Sequence, residues 1–261
     1  MSTPLPTPLD VKLMNLSANV LFAAFALLLA STLALWLARQ SVFAIRGISV
    51  SGDVTHNNAV TLRANVAPRL NGTFLTFDLQ AAKRAFEAVP WVRQAVVRRE
   101  FPNRLKVQLQ EHQALAYWGV EGDSKLVNSF GEVFEANPGE VEQDALPSLN
   151  GPDDQAGTVL AMYQTLAPQF EAMELTLNQL ELSAQGGWRA GLDNQAQVEL
   201  GGGSVADVQL RLQRFLKTLT QVSASYGRRI DALESADLRY PDGYAIRLRG
   251  VTTKTADGVK K

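Results

Sequence analysis

The chain has 261 residues, of which 46% are hydrophobic and 20% charged, and its formal net charge is −1. This composition is typical of a folded protein and too apolar for a disordered one. The sequence contains no cysteine, which excludes disulfides, thiolate nucleophiles and cysteine-containing zinc sites.

An uncharged segment dominates the N-terminal part of the chain. No charge occurs between Lys12 and Arg39, and residues 16–38 read LSANVLFAAFALLLASTLALWLA. A helix of this length spans the roughly 30 Å hydrocarbon core of a bilayer. The alternatives are a buried core helix, which is rarely uncharged over such a length, and a cleaved signal peptide, which has a shorter apolar stretch. We predict a tail at residues 1–15 and one transmembrane helix at residues 16–38.

Residues 43–112 have the pattern of a small module with three strands and two helices. The expected elements are a strand around Ile45 to Val50, a helix capped by Asn57 or Asn58 and ending near Pro68, a helix from Asp78 to Pro90, and strands at Val92 to Arg99 and Leu105 to Glu111. In the last strand, Leu105, Val107 and Leu109 alternate with polar residues, which indicates one buried face. The predicted order is β-α-α-β-β.

The same module carries most of the basic excess. Residues 46–112 hold ten Lys and Arg against five Asp and Glu, whereas residues 113–261 hold thirteen against twenty. Nucleic-acid binding is not predicted, because the basic residues alternate with apolar ones along strands and no aromatic stacking run accompanies them. Attraction to anionic headgroups or to an acidic partner is the favoured interpretation. Trp91, just before a strand, is expected to fill the core.

Residues 113–250 predict a mostly antiparallel β domain with two helices, which makes the whole chain α+β. The expected elements are a strand at Ala114 to Trp118, a hairpin from Leu126 to Phe134, loops at Asn137 to Gly139 and Leu146 to Pro152, a helix with Val159, Tyr163 and Leu166 ending before Pro168, strands at Leu175 to Leu182, Trp188 to Leu192 and Val198 to Leu200, a helix from Val205 to Leu219, and strands at Ile230 to Leu238 and Tyr244 to Leu248. Residues 251–261 are predicted to be a disordered tail.

No motif in the chain indicates catalysis. Gly201-Gly202-Gly203-Ser204 precedes a helix, but the Lys-Ser/Thr of a P-loop is missing, and a turn capped by Ser204 is expected. His56 and His112, the only histidines, are 56 residues apart, which disfavours a metal site. Asp153-Asp154 lies in a Pro/Gly loop without an apolar wall to raise a pKa. The sequence therefore predicts no catalytic, cofactor-binding or metal-binding residue.

Several segments resemble known domains. Residues 43–112 resemble the polypeptide-transport-associated (POTRA) domain, and the matching segments are Phe43 to Gly52, Gly72 to Leu75, Pro90 to Arg93, Val96 to Arg98 and Phe101 to Val107. A single span followed directly by such a module is similar to the bacterial cell-division protein family FtsQ/DivIB. The C-terminal unit resembles the β domain of that family in Leu126 to Phe134, Leu146 to Leu149, Trp188 to Asn194, Arg211 to Phe215 and Asp237 to Tyr240. Gln185-Gly186-Gly187 departs from relatives, which often have basic residues there.

The resemblance implies a non-enzymatic scaffold of the division machinery, the divisome, at the septum. The extramembrane part would bind the small coiled-coil proteins FtsB and FtsL in the periplasm, and the POTRA module would contact other divisome proteins. Flanking charges do not decide the orientation, but the large C-terminal mass favours a cytoplasmic N-terminus in the bacterial inner membrane. The alternatives are a membrane-anchored periplasmic cell-wall hydrolase and a POTRA-containing assembly or secretion component.

The predicted partner site is the last strand, whose edge a partner strand can extend. The residues assigned to it are Arg239, Tyr240, Gly243, Tyr244, Ala245 and Arg247. The tyrosines are expected to anchor the partner, and the arginines, with Arg249, to attract acidic side chains. The alternative is that both tyrosines only pack the sheet. The resemblance supports the location, because Asp237 to Tyr240 and the following Gly-containing turn match the segment through which relatives bind FtsB.

Overall fold

The computed structural model describes residues 9–52, 54–57, 59–66, 68, 72–120, 123–141 and 146–251. Its helices are α1 (Leu9–Ala38), α2 (Ala59–Val66), α3 (Leu79–Glu87), α4 (Ala156–Glu171) and α5 (Val205–Ser225). Its strands are β1 (Gly47–Gly52), β2 (Val92–Glu100), β3 (Arg104–Glu111), β4 (Ala114–Trp118), β5 (Lys125–Asn128), β6 (Val133–Glu135), β7 (Ser148–Asn150), β8 (Leu177–Leu182), β9 (Trp188–Leu192), β10 (Gln197–Gly201), β11 (Leu233–Asp237) and β12 (Ala245–Leu248). The chain divides into two compact units between Glu111 and His112.

Helix α1 is long and apolar enough to cross a membrane. None of the apolar window in residues 10–38 is buried against the rest of the described chain, which argues against the buried core helix considered above. The helix includes part of the predicted tail, because it is continuous from Leu9. Residues 1–8, and the predicted disordered segment from residue 252 onward, lie outside the described residues.

The first unit contains a three-stranded sheet in the order β1-β3-β2. Strand β3 pairs in parallel with β1 and in antiparallel fashion with β2, so that Val107 lies opposite both Val50 and Val97. Helix α3 begins at its predicted cap, where the Asp78 carboxylate accepts the N–H groups of the first turn at 2.8 and 3.0 Å. The helix packs its buried face, including Phe86, against the sheet. The predicted α+β order of this module is confirmed.

Two predictions near the start of α2 and β2 have different outcomes. Asn57 is buried and does not act as a simple helix cap, because its side-chain amide donates to the Pro90 carbonyl and to the Glu111 carboxylate at 3.1 and 2.9 Å. Asn58, the other predicted cap, lies outside the described residues. Trp91 is 3% exposed, as expected for a core residue.

The second unit is built on a nine-stranded sheet in the order β12-β11-β10-β9-β8-β7-β4-β5-β6. Among these described strands, five neighbouring pairs are antiparallel and three are parallel. Helices α4 and α5 pack on the sheet, and their fully buried Phe170 and Phe215 belong to one core with Leu180 and Val198. Alternate residues such as Arg189 face away from that core.

Three elements of this unit differ from the prediction. Helix α4 passes through Pro168, because burial of Phe170 in the following turn offsets the roughly 3 kcal/mol cost of an interior proline. The predicted loop from residue 146 to 152 contains β7, whose Leu149 is fully buried in the middle of the sheet. The predicted strand from Ile230 begins with a short 3₁₀ turn, and extended structure starts only at Leu233.

Candidate functional site

The last strand, β12, forms one edge of the nine-stranded sheet. It pairs in antiparallel fashion with β11, with Asp237 opposite Ala245 and Ser235 opposite Arg247. No other described strand is hydrogen-bonded to its outer side. The open edge expected from the sequence is therefore present, while its use by a partner stays a prediction.

A backbone hydrogen bond beside β12 indicates which amide groups face the open side. The Arg249 N–H donates to the Ala232 carbonyl at 2.8 Å, towards the β11 side. Because backbone groups alternate in direction along a strand, the N–H groups of Arg247 and Ala245 also point towards β11. The N–H and C=O of Ile246 then point outward. Ile246, which sequence reasoning missed, is thus the residue whose backbone a partner strand would meet.

Four of the six predicted residues lie outside β12, which corrects their predicted position on the last strand. Arg239, Tyr240 and Gly243 occupy the loop between β11 and β12, and Tyr244 directly precedes β12. Strand β11 ends at Asp237, and Pro241 further along the loop has no N–H with which to continue a ladder. The candidate site is therefore a loop together with a short strand edge.

Arginine side chains hold the loop at its start and at its turn. Arg239 donates to the Asp237 carboxylate through Nε at 2.9 Å and Nη2 at 2.7 Å. These bonds hold the pKa of the Asp237 carboxyl below its ordinary value and raise the pKa of the Arg239 guanidinium. At the turn, Arg214 Nη1 donates to the Pro241 carbonyl at 2.7 Å. The loop is thus positioned by the sheet and by α5.

The two predicted tyrosine anchors have different environments. Tyr240 is 54% exposed. Tyr244 is half-buried, with its hydroxyl 2.6 Å from the Thr218 hydroxyl and its ring edge-on to Phe215 at a centroid distance of 5.0 Å. Tyr244 therefore packs the domain, as the alternative interpretation proposed, and only Tyr240 has an exposed ring that a partner could cover.

A row of charged side chains crosses the open face of the sheet beside the edge. The strand register aligns Glu181, Arg189, Glu199 and Asp237 across β8 to β11. Arg189 contacts Glu199 at 2.6 Å and Glu181 at 3.4 Å, and its pKa is raised mainly by the hydrogen bond to Glu199. The positive charge of Arg239 lowers the pKa of Arg189, because the two guanidinium groups repel each other across this face.

The other arginines of the site also have partners within the unit. Arg247 Nη1 lies 3.6 Å from Glu234 Oε1, and Arg249 donates to the Asn194 carbonyl. An acidic partner would therefore compete with existing contacts at each of the three predicted arginines. The expected electrostatic attraction is weaker than their number in the sequence suggests.

The other segments considered for chemistry have structural roles. Ser204 and Asp207 form a reciprocal capping box at the start of α5, with bonds of 3.3 and 3.0 Å. His56 and His112 each stack on an aromatic ring, at centroid distances of 3.9 and 4.1 Å. Within the part of the chain that the structure describes, no group of three or more possible metal ligands occurs.

The fold and the edge together define a class of protein. One N-terminal helix can span a membrane, a small β-α-α-β-β module follows it, and a larger sheet unit ends in an open strand edge. This is the architecture of a single-pass membrane protein with a small module and a larger sheet unit after the span.

Comparison with known proteins identifies the family. Residues 43–112 match the model of the POTRA domain, FtsQ-type, and residues 116–239 match that of Cell division protein FtsQ/DivIB, C-terminal. The Cell division protein FtsQ of Burkholderia pseudomallei is 42% identical over 96% of this chain and 99% of the relative. Those of Thiomonas arsenitoxydans and Bordetella pertussis are 39% and 34% identical, with at least 91% of either chain covered. The chain belongs to the FtsQ/DivIB family of cell-division proteins, which confirms the resemblance.

Proposed function

We propose that this protein is a non-enzymatic scaffold of the bacterial divisome. It binds FtsB and FtsL and links early cytoplasmic components to late septum-building components in the periplasm. Membership of the cell-division family supports the general role. The open edge of β12 is the observation that carries the partner assignment.

The edge offers two kinds of contact. The outward N–H and C=O of Ile246 can bond to the backbone of an added strand, which is the usual source of affinity in strand addition. Tyr240 lies in the loop that precedes β12 and is more than half exposed. It supplies an aromatic anchor of the type that dominates binding interfaces. On the adjacent face, Arg189 and Arg239 are already paired with Glu199 and Asp237, so side-chain charge contributes little to partner binding there.

The first binding experiment separates the backbone contact from side-chain packing. The full chain in nanodiscs is titrated with the FtsB–FtsL complex, and Ile246→Pro is compared with Ile246→Ala. Both variants lose the side chain, but only proline removes the outward N–H. We expect binding to be about two- to tenfold weaker for proline than for alanine, equivalent to one lost hydrogen bond. Equal affinities would place the interface elsewhere.

The second experiment tests the aromatic anchor. Tyr240→Ala should weaken binding by about thirtyfold or more, because interface aromatics typically contribute at least about 2 kcal/mol. Tyr226, at the end of α5 and 59% exposed, provides the matched control, and Tyr226→Ala should bind like wild type. Equal losses in the two variants would argue against a specific site at Tyr240.

The topology belongs to the same proposal: a cytoplasmic N-terminus and a periplasmic C-terminal part in the inner membrane, at the septum. A reporter enzyme that is active only in the periplasm, fused after Gly250, should be active. An inactive fusion of normal abundance would reverse the orientation. Depletion of the protein from its host should produce smooth, undivided filaments, and normal septation would contradict the division role.

A further inference from the structure

The first unit exposes an apolar surface beside the end of α1. We call it the membrane-proximal patch and define it by Val42, Phe74, Leu75 and Phe101. Val42 is 71% exposed, Leu75 51% and Phe101 85%. The half-buried Phe74 packs edge-on to Phe101, with ring centroids 6.4 Å apart. Grouped exposed apolar side chains of this size indicate an interaction surface.

Direct hydrogen bonds tie the patch to the end of α1. The Thr73 hydroxyl donates to the carbonyl of Ala38, the last residue of the helix, at 2.7 Å. The next residue, Phe74, donates its N–H to the Phe43 carbonyl at 2.7 Å, and Ala44 forms an isolated antiparallel bridge with Thr73. The loop that carries Phe74 therefore lies one hydrogen bond from the end of the apolar helix.

Basic residues lie in the same segments of the chain as the patch. They are Arg39, Arg46, Arg99 and Arg104, all exposed. Arg99 lies against the loop, where it donates to the Phe74 and Phe77 carbonyls at 2.7 Å each. The acidic residues of these segments are Asp78, whose carboxylate caps α3, and Glu100, which is opposite Arg104 in the hairpin. The described surface here therefore carries more positive than negative charge.

We infer that the membrane-proximal patch rests in the headgroup region of the bilayer that α1 spans, with its arginines against anionic phospholipid headgroups. The inference rests on the proposed anchoring of α1. Aromatic and aliphatic side chains beside basic ones are the usual composition of interfacial membrane contacts. Continuity with the span favours a lipid surface over a protein partner, because the loop cannot move far from the helix end. The contact would hold the first unit against the membrane.

Because the natural sequence has no cysteine, single spin labels can test the immersion without a background variant. The full chain is reconstituted in vesicles of phosphatidylethanolamine and phosphatidylglycerol with a label at Leu75→Cys. Reference labels are placed at Leu28→Cys in the span and at Gln110→Cys, exposed at the opposite end of β3. Collisions with oxygen report lipid, and collisions with a nickel chelate report water.

We expect the oxygen-to-nickel collision ratio at Leu75 to be several-fold higher than at Gln110 and lower than at Leu28, as for a residue in the headgroup region rather than in the hydrocarbon core. A ratio at Leu75 equal to that at Gln110, with Leu28 immersed, would overturn the inference and leave the proposed anchor intact. That outcome would assign the patch to a protein partner. A nickel-accessible label at Leu28 would overturn the anchor as well, so the two failures are distinguishable.

A second variant tests the apolar contact itself. Phe101→Asp should transfer the Leu75 label to water, whereas Phe101→Leu should leave it immersed. Because Phe101 is exposed, neither change should alter the far-ultraviolet circular dichroism. Vesicles of phosphatidylcholine alone should reduce the immersion. Equal immersion there would overturn the assignment of the arginines to anionic headgroups.

Discussion

A buried carboxylate at the end of β3 is predicted to hold the first unit together. The Glu111 side chain is 3% exposed and accepts the backbone N–H groups of His56 and Asn57 at 2.9 and 3.0 Å. It also accepts the Asn57 side-chain amide at 2.9 Å and lies 3.2 Å from His56 Nδ1. One carboxylate thus fixes the segment that precedes α2. The His56 ring stacks on Trp91, with 3.9 Å between centroids.

The cost of removing this carboxylate can be worked from its contacts. Glu111→Ala leaves the buried Asn57 N–H without its acceptor, which costs about 1–3 kcal/mol. Loss of the Cγ methylene group adds about 0.8 kcal/mol. The expected destabilisation is roughly 2–4 kcal/mol. Glu111→Gln should cost less, since its amide oxygen can still accept one of the donors while its NH₂ group faces another.

Hydrogen exchange followed by mass spectrometry can measure this in the full chain. Because every 1.4 kcal/mol is a factor of ten, protection of the α3 and β3 amides should fall by about thirtyfold to several-hundredfold in Glu111→Ala. Amides of β8 to β10 in the second unit serve as an internal reference. Gln110→Ala, one residue earlier and exposed, should leave protection within a fewfold of wild type. Unchanged protection in Glu111→Ala would refute the assigned role.

Two further predictions concern the second unit. Gly131→Ala should destabilise it by about 2–5 kcal/mol in urea unfolding, because a Cβ at this positive φ would lie 2.6 Å from Gly157 Cα; Gly186→Ala, also at positive φ but in open space, should cost only about 1–2 kcal/mol. Equal costs would contradict the close approach. Arg239 lowers the pKa of the Asp237 carboxyl in the folded protein. The stabilisation from this pair is therefore fully present above pH about 3.9, the pKa of an aspartate in the unfolded chain, and it is lost as pH falls through the lower pKa of the folded state. Carbon-13 titration should show an inflection below 3.9 that rises in Arg239→Ala; the same inflection in both proteins would contradict the pairing.

Elements whose burial repeats at regular spacing could be predicted from the sequence. In β3, every second residue is buried, and in α3 the buried Ala82 and Phe86 are one helical turn apart. Such patterns are local, because the position of a residue along a helix or strand decides which face its side chain occupies. The predicted hairpin of β2 and β3 follows for the same reason. The parallel pairing of β1 with β3 is set by the packing of distant segments, and no local pattern specifies it.

The errors occurred where tertiary packing outweighed local preference. Strand β7 has only three residues between a proline and a glycine, and its extended form depends on neighbours β4 and β8 on both sides. Pro168 is tolerated within α4 because Leu166 and Phe170 on either side of it are fully buried. At the candidate site, the sequence could not show that Tyr244 turns inward towards α5. That contact joins residues distant in the chain.

The shortness of β12 determines how its edge can be used. The strand has four residues. Its outward groups are the N–H and C=O of Ile246 and the N–H of Leu248, since the Leu248 carbonyl accepts the Val251 N–H at 3.2 Å. At about 0.5–1.5 kcal/mol net for each hydrogen bond, three such groups contribute roughly 2–4 kcal/mol, which corresponds to a dissociation constant of about a millimolar or weaker. So short an edge resists unspecific pairing, for instance with a second copy of the chain. A proposed partner strand therefore needs the Tyr240 anchor, and for this reason we expect one side-chain substitution there to weaken binding strongly although every main-chain bond remains available.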